Sequence, residues 1–366
     1  MTVLTPRSRL LRSIRGEAVD RMPVSVGADT TRPLPFPSWQ PLYDLVAAHD
    51  LDTLAYWYGA RAGQVEPSSE VLHETGNPEW FEQTLTFPTP LGDLTEVTRC
   101  SRRGHPGYVV KYLIASVEDA RRWLALPDPE PPDVSGWAER RAGVGESALL
   151  FVGLDEPMYE INQRMGSELW AYWMYDEREL VRELVERAAR RVRRDLQHYL
   201  AHGCGPLFSW SGPELCIPPL ARVTDFDDFV ARYDAPLCAE VHNAGGLVRV
   251  HCHGDMAPVL EGFIEMGVDC LNPVEPPPVG ALTLAELKAQ AAGRITMEGG
   301  VESSAFELFS PKKMRATVEA TMAQAKPGGR FILEPTASPG HWPEMSPGIA
   351  ENYRVYVETA LALAEY

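Results

Sequence analysis

Short apolar segments alternate with long helical patterns along this chain, and this alternation constrains the fold more than any other feature. Each segment is rich in β-branched residues or bounded by turn residues, which is typical of buried strands. From residue 206 onward the segments begin 22 to 41 residues apart, a spacing that suits a repeated strand–helix unit. The eight predicted strands are 23–29, 53–59, 148–154, 206–211, 247–253, 269–275, 294–300 and 330–336.

Eight such units predict an α/β fold, a single (β/α)8 TIM barrel that spans residues 1–366. The regular spacing fails between residues 60 and 147, after the second strand. Within that range, a turn at residues 91–93 separates two alternating segments and predicts a β-hairpin, and "SVEDARRWLAL" predicts a capped helix. We therefore expect residues 60–147 to be an insertion that covers part of the barrel mouth.

Composition narrows the class of protein. Hydrophobic residues make up 45% of the chain and charged residues 23%, which are globular values. The formal net charge is −17, and no basic stripe offsets it, which argues against nucleic acids and anionic membranes as partners. The six cysteines are scattered singly, as reduced thiols usually are. Without a run of eighteen apolar residues, the sequence predicts a cytoplasmic protein.

The ends of the predicted strands carry an unusual concentration of ionisable side chains. In a TIM barrel, the residues at the carboxyl ends of the strands face the active site. We expect Asp29, Arg32 and Asn272 to orient a substrate there. The full set of strand-end candidates is Asp29, Arg32, Asp155, Glu156, Glu214, His251, His253, Asn272, Glu275, Glu298 and Glu334.

The segment "LVRVHCHGD" at residues 247–255 is the strongest single signal. Residues two apart on a strand project to the same face, so His251 and His253 both point into the predicted mouth, and Cys252 points away. Imidazole is the commonest protein metal ligand, and a catalytic zinc site needs three protein ligands. A carboxylate could complete the set, and the candidates are Glu214, Glu275, Glu298 and Glu334.

Two other interpretations stay open from the residues alone. The histidines could be hydrogen-bonded to neighbouring carboxylates without any metal. Alternatively, Glu214 and Glu298 stand where retaining glycosidases of barrel fold keep their two carboxyl groups. That interpretation leaves the histidine pair unexplained.

Several motifs together resemble the uroporphyrinogen decarboxylase superfamily. They are "LLRSIRGEAVDRMPV" near the start, "HNAGGLVRVHCHGD", "EMGVDCLNPVEPP" and "FILEPTASPG" followed by "SPGIAENYRVYVETA". The resemblance covers nearly the whole chain. It implies a (β/α)8 barrel, commonly a homodimer, with a deep cleft at the mouth.

The resemblance is nearer to one branch of the superfamily than to the other. True uroporphyrinogen decarboxylases carry a Met-Arg-Gln-Ala-Gly-Arg motif after the first strand. This chain has "VGADTTRPLP" there, where only Arg32 matches an arginine. The corrinoid-linked methyltransferases carry His-x-Cys after strand five and a cysteine after strand eight. Here His251 matches the histidine, His253 replaces the first cysteine and Ala337 lies near the place of the second.

The sequence therefore supports three hypotheses. The first is a metal-dependent methyltransferase, with zinc on His251, His253 and Glu334 or Glu214, a small-molecule substrate and a possible corrinoid protein partner. The second is a metal-free decarboxylase or lyase for a carboxylate substrate, in which the histidines act as general acid and base beside Glu275 and Glu298. The third is a barrel that binds a ligand or a corrinoid protein without catalysis.

Overall fold

The structure is a computed structural model that describes residues 3–61, 66–340 and 344–366. In chain order, its strands are β1 (Thr53–Trp57), β2 (Ser69–Glu74), β3 (Trp80–Phe87), β4 (Leu94–Ser101), β5 (Tyr108–Lys111), β6 (Ala148–Gly153), β7 (Leu207–Ser211), β8 (Leu247–His251), β9 (Cys270–Val274), β10 (Thr296–Val301) and β11 (Phe331–Pro335). The helices are α1 (Pro6–Arg15), α2 (Gln40–His49), α3 (Val117–Leu124), α4 (Trp137–Val144), α5 (Pro157–Asp176), α6 (Arg178–Ala201), α7 (Val223–Phe226), α8 (Arg232–Asn243), α9 (Leu260–Met266), α10 (Leu284–Ala291), α11 (Ala305–Leu308), α12 (Pro311–Ala325) and α13 (Pro347–Leu363).

A parallel sheet forms the centre of the molecule. Within the described residues it has seven strands in the order β1-β6-β7-β8-β9-β10-β11, so neighbours in the sheet follow one another in the chain. Helices connect the successive strands from β6 to β11, as parallel pairing requires. The sheet coincides with seven of the eight predicted strands, whose ends differ by no more than two residues. The chain is thus an α/β protein with a TIM-barrel-like sheet.

The first predicted strand, 23–29, is not a strand in the structure. Val24 forms an isolated parallel bridge with Leu333 of β11, and its carbonyl accepts a hydrogen bond from Asp52 N, just before β1. Pairing stops there because Pro23 has no N–H to donate and Gly27 turns the backbone at φ 73°. Residues 23–25 nonetheless contact both edges of the parallel sheet.

Helix α1 covers the amino-terminal end of the sheet. Thr5 caps it by accepting a hydrogen bond from Ser8 N at 3.2 Å. Leu10 and Ile14 pack there against inward-facing residues such as Leu149 and Leu247. The inward-facing positions at this end of the sheet are therefore filled with apolar side chains.

A second sheet lies in the chain between β1 and β6. Its four described strands are antiparallel in the order β2-β3-β4-β5, and residues 91–93 lie in the turn between β3 and β4. The segment that follows β5 is attached to α5, because Ile114 N donates to Arg164 O at 2.8 Å. The Tyr112 ring also lies on Gly166, where a Cβ atom would come within 2.4 Å of it and where α5 bends. These contacts attach the second sheet to the barrel helices.

Within the described ranges, no helix is both long and apolar enough to cross a membrane.

Candidate functional site

A cavity of about 490 Å³ opens at the carboxyl end of the parallel sheet. Its polar lining includes Ser25, Asp29, Arg32, Ser209, Ser211, Arg249, His251, Asn272 and Glu334, and its apolar lining includes Trp39, Leu54, Tyr56, Tyr58 and Phe151. Five of the sequence-predicted site residues therefore meet here, from the loop after residue 25, β8, β9 and β11. The size and mixed lining are those of a small-molecule site.

A buried ion pair lies beneath this cavity. Arg249 on β8 donates from Nη2 to Glu298 Oε1 at 2.7 Å and from Nε to Oε2 at 2.8 Å. Glu298 on β10 is fully buried, and burial alone would raise its pKa. The charge and hydrogen bonds of Arg249 outweigh burial, so the pKa of Glu298 is lowered. Glu298 thus holds a negative charge in the interior and does not line the cavity.

Glu334 on β11 keeps a proton beside that charge. The two carboxyl groups are hydrogen-bonded, and both burial and the charge of Glu298 raise the pKa of Glu334 well above its usual value. Two adjacent carboxyl groups do not both ionise readily, and Arg249 stabilises the ionised form of Glu298. Glu334 Oε2 has no hydrogen-bond partner within the described chain. The cavity wall therefore contains a neutral carboxylic acid.

Asn272 on β9 links Glu298 to His251. Its Nδ2 donates to Glu298 Oε1 at 2.9 Å, and its Oδ1 lies 2.6 Å from His251 Nδ1. Since Oδ1 can only accept, the proton of the neutral imidazole is on Nδ1. Burial and the charge of Arg249 lower the pKa of His251 to about 4. His251 is thus a neutral imidazole at pH 7, and its Nε2 makes no hydrogen bond within the described residues.

His253 belongs to a second group of side chains, beyond the end of β8. Its Nδ1 lies 3.1 Å from Glu275 Oε1, and this hydrogen bond raises the pKa of His253. Glu275 Oε2 accepts from Gly254 N at 2.6 Å. Burial raises the pKa of both Glu214 and Glu302, and each has one buried oxygen without a described partner. The rings of His251 and His253 are 4.7 Å apart, so the two groups touch.

Asp29 and Arg32 lie on the part of the cavity wall formed by the loop after residue 25. Asp29 Oδ2 accepts from Arg140 Nη2 at 2.7 Å and from Arg32 Nε at 3.2 Å. The Arg32 guanidinium lies 4.1 Å from the centre of the Tyr56 ring. Asp29 therefore holds its own loop in place, and both Asp29 and Arg32 line the cavity.

Of the predicted metal ligands, only the two histidines lie close together. His251 and His253 each donate a hydrogen bond from Nδ1 to a side-chain oxygen, and their Nε2 atoms have no partner within the described residues, which is the usual arrangement of metal-binding histidines. The third ligand is missing from this arrangement, since Glu334 carries a proton and metal ligands must be deprotonated. Over residues 3–61, 66–340 and 344–366, no three His, Cys, Asp or Glu side chains are placed to hold one ion. The residues as arranged do not fit a three-ligand zinc centre.

Three residues of the site, Arg249, Arg140 and Glu302, were not among the candidates predicted from the sequence. Arg249 had a signal, because a charged residue stands inside the otherwise apolar strand "LVRVH". Arg140 lies on α4, far along the chain from Asp29, and nothing in the sequence links them. Glu302 follows β10 by one residue, so a longer strand-end window would have included it.

In sequence, the chain matches one known protein family. The sequence model described as "Uroporphyrinogen decarboxylase (URO-D)" matches residues 157–360, which is more than half of the chain. The chain belongs to the uroporphyrinogen decarboxylase family. Among the candidate residues, the matched range contains Glu214, both histidines, Asn272, Glu275, Glu298 and Glu334, whereas Asp29, Arg32 and the second sheet precede it.

One solved structure extends the likeness in fold over nearly the whole chain. A methyltransferase from Methanosarcina mazei has 15% identity and a TM-score of 0.59, and the match covers 98% of this chain and 99% of that one. A B12-independent methionine synthase from Shewanella sp. W3-18-1, in complex with selenomethionine, has 10% identity and a TM-score of 0.40, covering 64% and 69%. No curated protein sequence matches this uroporphyrinogen decarboxylase family member.

Proposed function

We propose that this chain is a methyltransferase-type enzyme of the uroporphyrinogen decarboxylase superfamily, near its corrinoid-linked branch. Its substrate is a small molecule bound in the 490 Å³ cavity. The family match and the shared fold with a methyltransferase support the class of enzyme. The observation that carries the proposal is that His251, whose Nδ1 is hydrogen-bonded to Asn272, lines one cavity together with the carboxyl group of Glu334, whose pKa is raised by burial and by the charge of Glu298.

Glu334 supplies the proton that the leaving group needs. A nucleophile of the thiolate or reduced-corrinoid class attacks the methyl carbon of an O-, N- or S-methyl substrate. The electron pair of the broken bond leaves with the heteroatom, which takes the proton of Glu334. Solvent then returns a proton to Glu334. A carboxyl group with a raised pKa is suited to this because it is still protonated near pH 7.

His251 and the aromatic wall orient the substrate. With a pKa of about 4, His251 does not act as a proton donor, and its Nε2 accepts a hydrogen bond from an O–H or N–H of the substrate. Trp39, Tyr56 and Phe151 provide the apolar surface, and Arg32 provides a positive charge for a substrate carboxylate.

Metal binding remains a separate prediction. Zinc at such a site would act as a Lewis acid. In this chain His251 and His253 would hold it, and neither of the predicted carboxylate ligands, Glu334 and Glu214, is placed with them as a third ligand within the described residues. The participation of a corrinoid protein is likewise a prediction.

The proposed function is tested by methyl transfer to and from free cobalamin. Protein would be mixed with methylcobalamin and small thiols, and with reduced cobalamin and small O-, N- and S-methyl compounds, while the cobalamin absorbance is followed. We expect protein-dependent transfer in at least one direction. The rate of methyl transfer should fall in His251→Gln. It should persist in the control His242→Gln, whose ring is hydrogen-bonded to Asp269 outside the cavity. Absence of transfer in both directions contradicts the proposal.

A second candidate is a decarboxylase for a small carboxylate. Arg249 and Glu334 both line the cavity, so one cation and one acid face the same space. Arg249 would hold the carboxylate, the C–C bond would break with loss of CO2, and the carbon would take the proton of Glu334. Release of CO2 that survives exhaustive chelation, together with no methyl transfer, would favour this candidate. Tight ligand binding without any turnover would instead favour a non-catalytic barrel.

The remaining proposals concern the closure of the barrel and the assembly of the chain into a dimer. We infer that residues 23–25 take the place of the eighth strand, so that residues 1–366 form one (β/α)8 barrel with residues 60–147 inserted. A homodimer and a cytoplasmic location remain predictions. Light scattering after gel filtration tests the dimer.

A further inference from the structure

A second cavity adjoins the first, between the barrel and the inserted segment. Its volume is about 760 Å³. Apolar side chains from the inserted segment form one wall, namely Phe87, Leu113, Trp123 and Leu126. Helices α5 and α6 form the other wall, with Tyr159 on α5 lying against Gly212. This surface can take the apolar body of an organic molecule.

Arginines give the second cavity its charge. Arg61, Arg164, Arg187 and Arg191 line it, opposite three carboxyl groups, in a chain whose overall charge is strongly negative. Arg187 and Arg191 lie one turn apart on α6, with side chains only 13% and 7% exposed. Buried cations of this kind are costly unless they are paired or bind something.

The four arginines differ in how fully their own neighbours satisfy them. Arg61 and Arg191 are bonded to Asp155 and Asp195. Arg187 donates from Nη2 to Leu126 O at 2.8 Å and pairs through the same atom with one carboxylate, Asp128 at 3.2 Å. Its guanidinium lies over the Trp123 ring at 4.4 Å, and its Nε and Nη1 have no hydrogen-bond partner within the described residues. The Arg164 guanidinium has no hydrogen bond or ion pair within the described residues. Arg164 and Arg187 are thus the guanidinium groups available to an anion.

The two cavities meet beside His251. Tyr58 and Ser211 border both of them. Ser211 is paired with His251 in the register of β7 and β8. Tyr58 lies on Gly153 of β6, where a Cβ atom would come within 1.8 Å of its ring. Molecules bound in the two cavities would therefore face each other across Tyr58.

We propose that the second cavity binds an organic anion, a molecule with an apolar body and a carboxylate or phosphate group. Arg164 and Arg187 bind the anionic group, and Trp123 and Leu126 contact the apolar body. As a second substrate, this molecule would meet the one in the first cavity beside His251. That role rests on the proposed function, whereas binding itself does not depend on it.

Calorimetric titration with three probes tests the site. They are 2-naphthoate, 2-naphthyl phosphate and the neutral 2-naphthalenemethanol. We expect at least one anion to bind about tenfold more tightly than the alcohol, and the stronger anion identifies the group preferred. Equal affinity for all three probes, or no binding of either anion, overturns the proposal.

Matched variants locate the binding. We expect Arg164→Gln and Arg187→Gln together to weaken anion binding about tenfold or more. Arg164→Gln alone should weaken it measurably, and because this residue is exposed, its loss cannot unfold the chain. Arg193→Gln, on the same helix but bonded to Glu240, serves as the control. Arg32→Gln should also leave affinity unchanged, and loss only in that variant would place the anion in the first cavity and overturn the proposal.

The outcome separates this site from the proposed function. Anion binding that depends on Arg164, in a protein without methyl transfer, keeps the site and rejects the function. Methyl transfer in a protein whose anion affinity does not depend on Arg164 or Arg187 keeps the function and rejects the site.

Discussion

Arg249 binds Glu298 through two parallel hydrogen bonds of 2.7 and 2.8 Å across the intervening strand β9. This ion pair determines the protonation of its neighbours. It keeps the negative charge on Glu298, so the proton stays on Glu334, and its positive charge helps to keep His251 neutral. Because the pair lies directly below the cavity, it sets the chemistry of the cavity wall.

Replacing Glu298 should damage the fold strongly. Glu298→Gln leaves the buried Arg249 without its counter-charge, which costs about 3–5 kcal/mol of unfolding free energy. The control is Glu261→Gln, whose ion pair with Arg294 is exposed and contributes little to stability. Urea unfolding of the two variants measures the difference. Equal losses in both variants would contradict the assignment of a buried charge pair.

Replacing Glu334 should separate activity from stability. Glutamine resembles a protonated glutamate in shape and charge, and its N–H can donate to Glu298 in place of the carboxyl O–H. Glu334→Gln should therefore change the unfolding free energy by less than about 1 kcal/mol but lower activity about 100-fold, the usual contribution of a general acid. Glu319→Gln, on the exposed face of α12, is the surface control. A strongly destabilised glutamine variant would show that Glu334 is ionised.

Metal binding is tested on the histidine pair itself. Because only two imidazoles converge, we expect weak, exchangeable binding of Zn²⁺ that equilibrium dialysis and elemental analysis can measure. His251→Ala with His253→Ala should remove it. His198 on α6 and His202, the residue that follows this helix, form another close pair with ring centres 4.3 Å apart, so their double alanine variant is a matched control. Undiminished zinc in the first double variant would rule out the predicted ligands.

The buried Asp234 should make stability depend on pH. Burial raises the pKa of Asp234 to about 7, although its Oδ2 accepts a hydrogen bond from Trp210 Nε1 at 2.8 Å. Between about pH 4 and pH 7 the folded chain holds a proton that the unfolded chain has lost, so stability falls as pH rises through this range. Asp234→Asn removes this loss and keeps an acceptor for Trp210. We expect it to stabilise the protein at pH 8, relative to pH 4.5, by about 3 kcal/mol. A constant difference between wild type and variant across this range would exclude the mechanism.

Arg140 should act as a positioning residue. It reaches from α4 to Asp29 and Thr31, so Arg140→Ala should loosen residues 29–32 while costing only about 1 kcal/mol of stability. Hydrogen exchange measured by mass spectrometry reports the loosening directly. Arg141→Ala changes the exposed neighbour on the same helix and should leave exchange unaltered. Unchanged exchange in Arg140→Ala would contradict the role.

Local pattern was enough to predict most of the sheet. Seven predicted strands are present because each is a short apolar segment bounded by turn residues, which is a property of neighbouring residues. The segment at 23–29 had the same appearance, yet Pro23 and Gly27 restrict its pairing to Val24. Whether an extended segment becomes a strand depends on the partners on both sides, and these lie at residues 52 and 333.

Spacing along the chain also predicted which end of the sheet carries the polar side chains. His251, Asn272 and Glu334 line one cavity because parallel strands place their carboxyl ends together. The role of each side chain could not be predicted from this spacing. From the sequence, Glu334 was predicted to be a metal ligand and Glu298 a catalytic residue, but the structure places Arg249 on Glu298 and raises the pKa of Glu334 well above its usual value.

By itself, the sequence determined the α/β class, the position of the strands and the family resemblance, since these depend on residue type and regular spacing. Only the tertiary structure decided which carboxyl groups are charged, where His251 keeps its proton and that a second cavity lies beside the first. Charge and protonation depend on burial and on partners such as Arg249, which acts on Glu298 49 residues away. Such distances between atoms exist only once the chain has folded.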